Sequence, residues 1–178
     1  VTGNKKTIKT INYSRGPLFI GALPKVELIE PEENYSTTLS GLPADSVVIK
    51  GDAFPAPDKI FQGSRGECRR ADYVIIADSG TKKVILCVEL KRTTKSEKHI
   101  IEQLTGAKCF VAYCQEIGKT FWRQHNFLDD YDYRFISIGH ISVAKRKTRI
   151  TRNTAVHDAP ERMMRIDWPH YLSFNKIV

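Results

Sequence analysis

Cysteine is scarce in this chain, four in 178 residues, which excludes a small scaffold stapled by disulfides. The four, Cys68, Cys87, Cys109 and Cys114, include no C-x-x-C pair, so a zinc ribbon is not indicated. Long apolar runs are missing too: no uncharged stretch reaches the ~18 residues of a membrane-spanning helix, and no membrane partner is expected. Residues 1–20 carry scattered Lys and Arg but no continuous apolar segment of the kind a secretory signal needs. Reduced thiols without a signal point to an intracellular site of action. The five histidines form no metalloprotease motif. There is no internal repeat and no low-complexity tract.

What is present is ordinary globular material. Hydrophobic residues make up 41% and charged residues 27%, enough to bury a core without a metal or disulfide. The length suits a single domain, with a strand- and loop-rich part over 1–60 and a core over 61–178. The net charge of +8 is unevenly spread. Residues 1–60 hold seven basic and seven acidic residues, whereas 61–178 hold 21 and 13. A localised basic excess fits a polyanionic partner, most often nucleic acid. The densest cluster is Lys145, Arg146, Lys147, Arg149 and Arg152; Arg65, Arg69 and Arg70 form a second, and Lys95 and Lys98 lie near an expected helix start. Such groups contact phosphate, although a basic run also serves as a solvated strand edge.

Gly and Pro punctuate residues 1–60, with short strands expected at Val26–Ile29 and Val47–Ile49. From residue 72 the pattern sharpens. Tyr73–Ala77 and Val84–Leu90 are apolar, β-branched runs separated by Asp78-Ser79-Gly80, which reads as a β-hairpin. Thr94 and Glu97 fit a capping box, and Ile100, Ile101, Leu104, Ala107 and Lys108 recur at helical spacing, with Gly106 weakening the helix near its end. Cys109–Cys114 reads as the next strand, 115–130 as a helix with Phe121 and Trp122 inward, and Tyr133–Val143 as a long strand broken near Gly139. The expected fold is a three-layer α/β or α+β domain, a mixed central sheet flanked by helices.

The chemistry concentrates at Glu89-Leu90-Lys91, the end of an apolar strand. Residues two apart on a strand share a face, so Glu89 and Lys91 project together, away from Val88 and Leu90. A hairpin centred between residues 80 and 81 places Asp72 across from Glu89. Two carboxylates and an ammonium then meet at one end of the sheet. Close carboxylates repel unless a cation lies between them, and a hard ion such as Mg²⁺ is held by one or two carboxylates plus waters and substrate phosphate. That is equipment for metal-dependent phosphodiester hydrolysis. An E-x-K tripeptide is also met as a surface ion pair worth about 0–1 kcal/mol; the combination with the Asp-led strand and the following helix distinguishes this one.

These residues, over about 65–115, resemble the PD-(D/E)XK nuclease superfamily, the restriction-endonuclease-like fold. The match is carried by Asp72 ahead of Tyr73-Val-Ile-Ile, by Glu89-Leu90-Lys91 ending its strand, and by Gln103 on the helix that follows. The resemblance implies an Mg²⁺- or Mn²⁺-dependent endonuclease, with DNA ahead of RNA. It implies metal binding by Asp72, Glu89 and the Leu90 carbonyl, catalytic support from Lys91, and a site-completing role for Gln103. A homodimer follows by analogy, since cutting both strands needs two sites. Two features depart from the family pattern. Ala71 stands where the family name has Pro, and the upstream acid of active members has no evident counterpart, with Glu67 the nearest candidate and Glu27, Glu30, Glu32 and Glu33 others. His99, one turn before Gln103, is a further candidate to line the site. A catalytically silent nucleic-acid-binding module and a nuclease toxin or defence effector are the competing classes.

Overall fold

The computed structural model describes residues 18–20, 25–31, 34–91, 96–139 and 156–178. Strands β1 (Leu18–Ile20), β4 (Val47–Lys50), β5 (Tyr73–Asp78), β6 (Lys83–Lys91), β7 (Asp132–Gly139) and β8 (Met164–Asp167) form a six-stranded mixed sheet in the order β1-β4-β5-β6-β7-β8. Strands β2 (Lys25–Glu30), β3 (Tyr35–Ser40) and β9 (Tyr171–Ser173) form a second sheet in the order β2-β3-β9. A long helix, α1 (Glu97–Phe121), lies between β6 and β7 in sequence.

The expected hairpin is present. β5 and β6 pair antiparallel with Tyr73 opposite Val88 and Asp78 opposite Lys83. Its turn is closed by the Gly80 amide donating to Asp78 Oδ1 at 2.8 Å, and Gly80 has φ near +80°, a conformation that other residues adopt at a cost. β6 is an unbroken buried run from Val84 to Leu90, as a central strand covered on both faces must be. α1 then crosses over so that β7 pairs parallel to β6, with Glu89 opposite Ser137.

Three layers result. Val74, Ile85, Cys87 and Phe135 pack against Leu104, Ala107 and Val111 of α1. On the opposite face Tyr73, Leu86, Val88 and Leu90 pack against Leu28, Tyr35 and Leu39 of the smaller sheet. The mixed α/β character is as expected, and among the described residues α1 is the one α-helix that covers the central sheet. Among the described residues one face carries α1 and the other carries β2, β3 and β9.

Other expectations are corrected. Cys109–Cys114 is not a strand: α1 runs through it, with Cys109 exposed and Cys114 half-buried. The expected 115–130 helix is only the end of α1, followed by turns and bends. Phe121 and Trp122 are exposed rather than inward, and Trp122 packs edge-on against Phe127, with ring centroids 5.3 Å apart. Ser96 rather than Thr94 stands at the N-cap of α1, with no side-chain capping bond; Thr94 lies outside the described residues. The strand from Tyr133 ends at Gly139, and its expected continuation to Val143 is also outside them.

Gly106 lies inside α1, not near its end. A Cβ there would stand 1.9 Å from the Arg69 carbonyl oxygen. The missing side chain lets the helix press onto the segment that leads into Asp72.

Candidate active site

Asp72 precedes β5, and Glu89 and Lys91 end β6. The Tyr73–Val88 register, continued by one residue, sets Asp72 across from Glu89. The Asp72 carboxylate is tied to the residue after Glu89: the Leu90 amide donates to Asp72 Oδ2 at 2.6 Å. A strand residue presents its N–H and C=O to the same neighbour, so the Leu90 carbonyl lies on the Asp72 edge of β6. Lys91 Nζ is 2.7 Å from Glu89 Oε1. Asp72 is 6% exposed and Glu89 fully buried, with Lys91 as the charged partner of Glu89.

Burial dominates the electrostatics. It lifts the Asp72 carboxyl well above the usual carboxylate range, the Glu89 charge adds to this, and the Leu90 amide and Lys91 offset only part. Burial also lifts Glu89, against the pull of Lys91. For Lys91, burial works against the charge, but Glu89 and Asp72 outweigh it and hold the ammonium charged.

Asp72 and Lys91 open onto a cleft of 540 Å³. Gln103 lines it from α1, with Nε2 3.5 Å from the Arg70 carbonyl oxygen. Arg69 and Arg70 line it from the segment before β5. The structure thus gathers Asp72, Lys91, Gln103, Arg69 and Arg70 around the cleft, with Glu89 and Leu90 fully buried against Lys91 and Asp72 and not themselves lining it. Arg65 is exposed and is not among the cleft residues. Lys98 is exposed and stands 3.9 Å from Glu102, and His99 does not line the cleft. Lys95, Lys145, Arg146, Lys147, Arg149 and Arg152 lie outside the described residues.

Of the upstream acids expected, the structure brings Glu30 to the cleft and not Glu67. Glu67 is exposed and turns back to accept the Arg65 amide at 2.7 Å. Glu30 comes from β2, where Leu28 and Glu30 occupy successive buried positions of the alternation. It is 8% exposed and lines the cleft. The Tyr73 hydroxyl fixes this placement. It donates to the Ile29 carbonyl at 2.8 Å and accepts the Ile29 amide at 2.9 Å, tying the residue beside Glu30 to the residue beside Asp72. Glu32 and Glu33 are outside the described residues.

Sequence reasoning missed Lys50 and Asp52, which also line the cleft and pair at 3.3 Å. Lys50 is set there by its register opposite Tyr73. The Gly51 amide donates to the Asp72 carbonyl at 2.7 Å, continuing the attachment of this segment to the site.

Among the described residues no three His, Cys, Asp or Glu side chains are clustered as a metal cage. The donors on offer are two buried carboxylates and a backbone carbonyl. Such a set suits a hard divalent ion that keeps part of its water shell, and one ammonium does not neutralise two adjacent carboxylates. Comparison with protein-family models, curated proteins and solved structures finds no match for this chain.

Proposed function

We propose that the protein is a divalent-metal-dependent phosphodiesterase acting on nucleic acid, with DNA ahead of RNA. The observation that carries this is the pairing of Asp72 and Glu89 across one hairpin, with Lys91 2.7 Å from Glu89, on a cleft lined by Arg69 and Arg70. The resemblance of residues 65–115 to PD-(D/E)XK nucleases supports the same chemistry. Asp72, Glu89 and the Leu90 carbonyl would hold Mg²⁺ or Mn²⁺, and Glu30 adds negative charge to the same cleft. When bound, such an ion polarises the phosphoryl oxygen and acidifies water.

In hydrolysis a water oxygen bonds to phosphorus while a bridging P–O bond breaks; the water gives up a proton and the departing oxygen gains one. Lys91, 2.7 Å from Glu89 at the cleft, is placed to orient water and stabilise growing negative charge. The Leu90 amide holds Asp72 in place throughout. The basic excess of the chain draws in the polyanion.

Incubation with supercoiled plasmid and Mg²⁺, Mn²⁺ or EDTA tests the proposal. EDTA-sensitive cleavage that disappears in Glu89→Gln and Lys91→Met is expected. Salt-dependent binding of nucleic acid with no cleavage under any divalent ion would instead make this a catalytically silent binding module.

A further inference from the structure

We infer that Arg70 is the phosphate-holding group of the cleft, contacting a non-bridging oxygen of the scissile phosphodiester. This deepens the phosphodiesterase reading and rests on it. Among the described residues four cations line the cleft. Three have carboxylate partners: Lys50 on Asp52 at 3.3 Å, Arg69 on Glu102 at 2.9 Å and Lys91 on Glu89 at 2.7 Å. The Nη1 of Arg70 is buried and has no hydrogen-bond partner among them. A guanidinium cannot discard its charge, and a buried donor left unpaired is costly, so among the described residues Arg70 is the cleft cation whose charge lacks the acceptor its three neighbours have.

The backbone beneath Arg70 is fixed on two sides. Gln103 Nε2 lies 3.5 Å from its carbonyl oxygen, and the preceding carbonyl, that of Arg69, lies against Gly106 of α1. Two residues further on is Asp72, so Arg70 and the carboxylate belong to one short segment lining one cleft. The acceptor must be an anion small enough to enter beside the carboxylates and able to use the planar donor fork. A phosphodiester oxygen is such a group, and Arg binds phosphate bidentately where Lys offers only a point charge. Gln103 then acts as a positioning residue, holding Arg70 through the backbone without touching the substrate.

The test uses the full chain with Arg70→Lys and Arg70→Ala, and circular dichroism melts to verify folding. Cleavage with Mg²⁺ is measured as kcat and KM, with and without added guanidinium ion, and inorganic phosphate is titrated calorimetrically without metal. Arg70→Ala is expected to lose roughly 10²–10³-fold in kcat, as removal of a donor to a developing oxyanion does. Added guanidinium should recover part of that loss, Arg70→Lys should fall between, and phosphate affinity should drop about tenfold or more. Wild-type kcat in Arg70→Ala would overturn the inference, as would a loss that guanidinium leaves untouched and that follows a lowered melting temperature. If the wild-type chain cleaves nothing, the phosphodiesterase reading fails by itself and the phosphate titration decides Arg70: weaker binding in Arg70→Ala supports the anion site, and equal binding overturns it.

Discussion

The Leu90 amide donates to Asp72 Oδ2 at 2.6 Å, so the backbone of one hairpin strand aims the carboxylate of the other. The bond orients Asp72 without relieving its proximity to Glu89, and both carboxyls are lifted by burial. The site therefore stores electrostatic cost in the metal-free chain, and four measurements follow from the geometry.

Asp72→Asn keeps an oxygen for the Leu90 amide and, at pH above the raised titration range of Asp72, removes a charge. The metal-free variant is expected to gain about 0.5–2 kcal/mol of stability, the usual yield when a functional compromise is relaxed. Cleavage should fall by roughly a hundredfold or more, the scale at which a charge-stabilising group is lost. Urea titration and a plasmid assay on one preparation check both. A variant less stable than the wild type would show that Asp72 is a structural ion partner instead.

The pH dependence has a definite sign. Unfolded Asp and Glu titrate at about pH 4, whereas Asp72 and Glu89 hold protons to higher pH in the folded chain. The folded state then binds more protons than the unfolded one over that window. The stability contribution of the pair falls as pH rises from about 4 through the raised values. Ca²⁺, which takes carboxylate oxygens, should thus raise the melting temperature more at pH 8 than at pH 5. Thermal melts at the two pH values with Ca²⁺ or EDTA decide it; an equal effect at both would count against an ion between these carboxylates.

Gly106→Ala sets helix propensity against packing. In an open helix the change is worth about 1 kcal/mol of stabilisation. Here the new Cβ would stand 1.9 Å from the Arg69 carbonyl oxygen, and backbone cannot yield as a flexible side chain does. A destabilisation of about 1–3 kcal/mol, the cost of overpacking, is expected, with reduced cleavage because Arg70 and Asp72 follow in the displaced segment. A stabilised variant would mean that α1 stands further from that segment.

Tyr73→Phe removes one oxygen that serves both backbone groups of Ile29. Leaving these unpaired should cost about 1–3 kcal/mol in denaturant titration. Faster hydrogen exchange at the Ile29 amide, relative to the β6 amides, would locate the loss at the junction between the two sheets.

The hairpin was legible because its signals are local. Two β-branched runs and a Gly80 turn fix the register, and the register alone sets Asp72 opposite Glu89. The parallel β6–β7 pair was legible from the helix between them. The extent of α1 was not, because Cys109–Cys114 is a short apolar run that period alone cannot assign to strand or helix. Its buried stripe, Leu104, Ala107, Val111 and Gly118, ends in small residues and carries little hydrophobic signal. The second sheet was missed as a layer, since two sheets meeting face to face leave no mark in either sequence segment. Glu30 was one of several acids with nothing to choose between them until Tyr73 was seen to hold Ile29. Lys50 and Asp52 reach the cleft through β4–β5 pairing across more than twenty residues, a contact no local pattern reports.

The Tyr73 hydroxyl reaches 44 positions back along the chain to grip Ile29. A shortened version beginning at residue 61 would keep Asp72, Glu89, Lys91 and Gln103, yet it would lack Glu30 and Lys50 and leave that phenol with nothing to clasp. The length of chain needed to enclose the cleft is thus dictated by its far wall, and trimming to the recognisable motif would discard Glu30, Pro31, Lys50 and Asp52 from its lining.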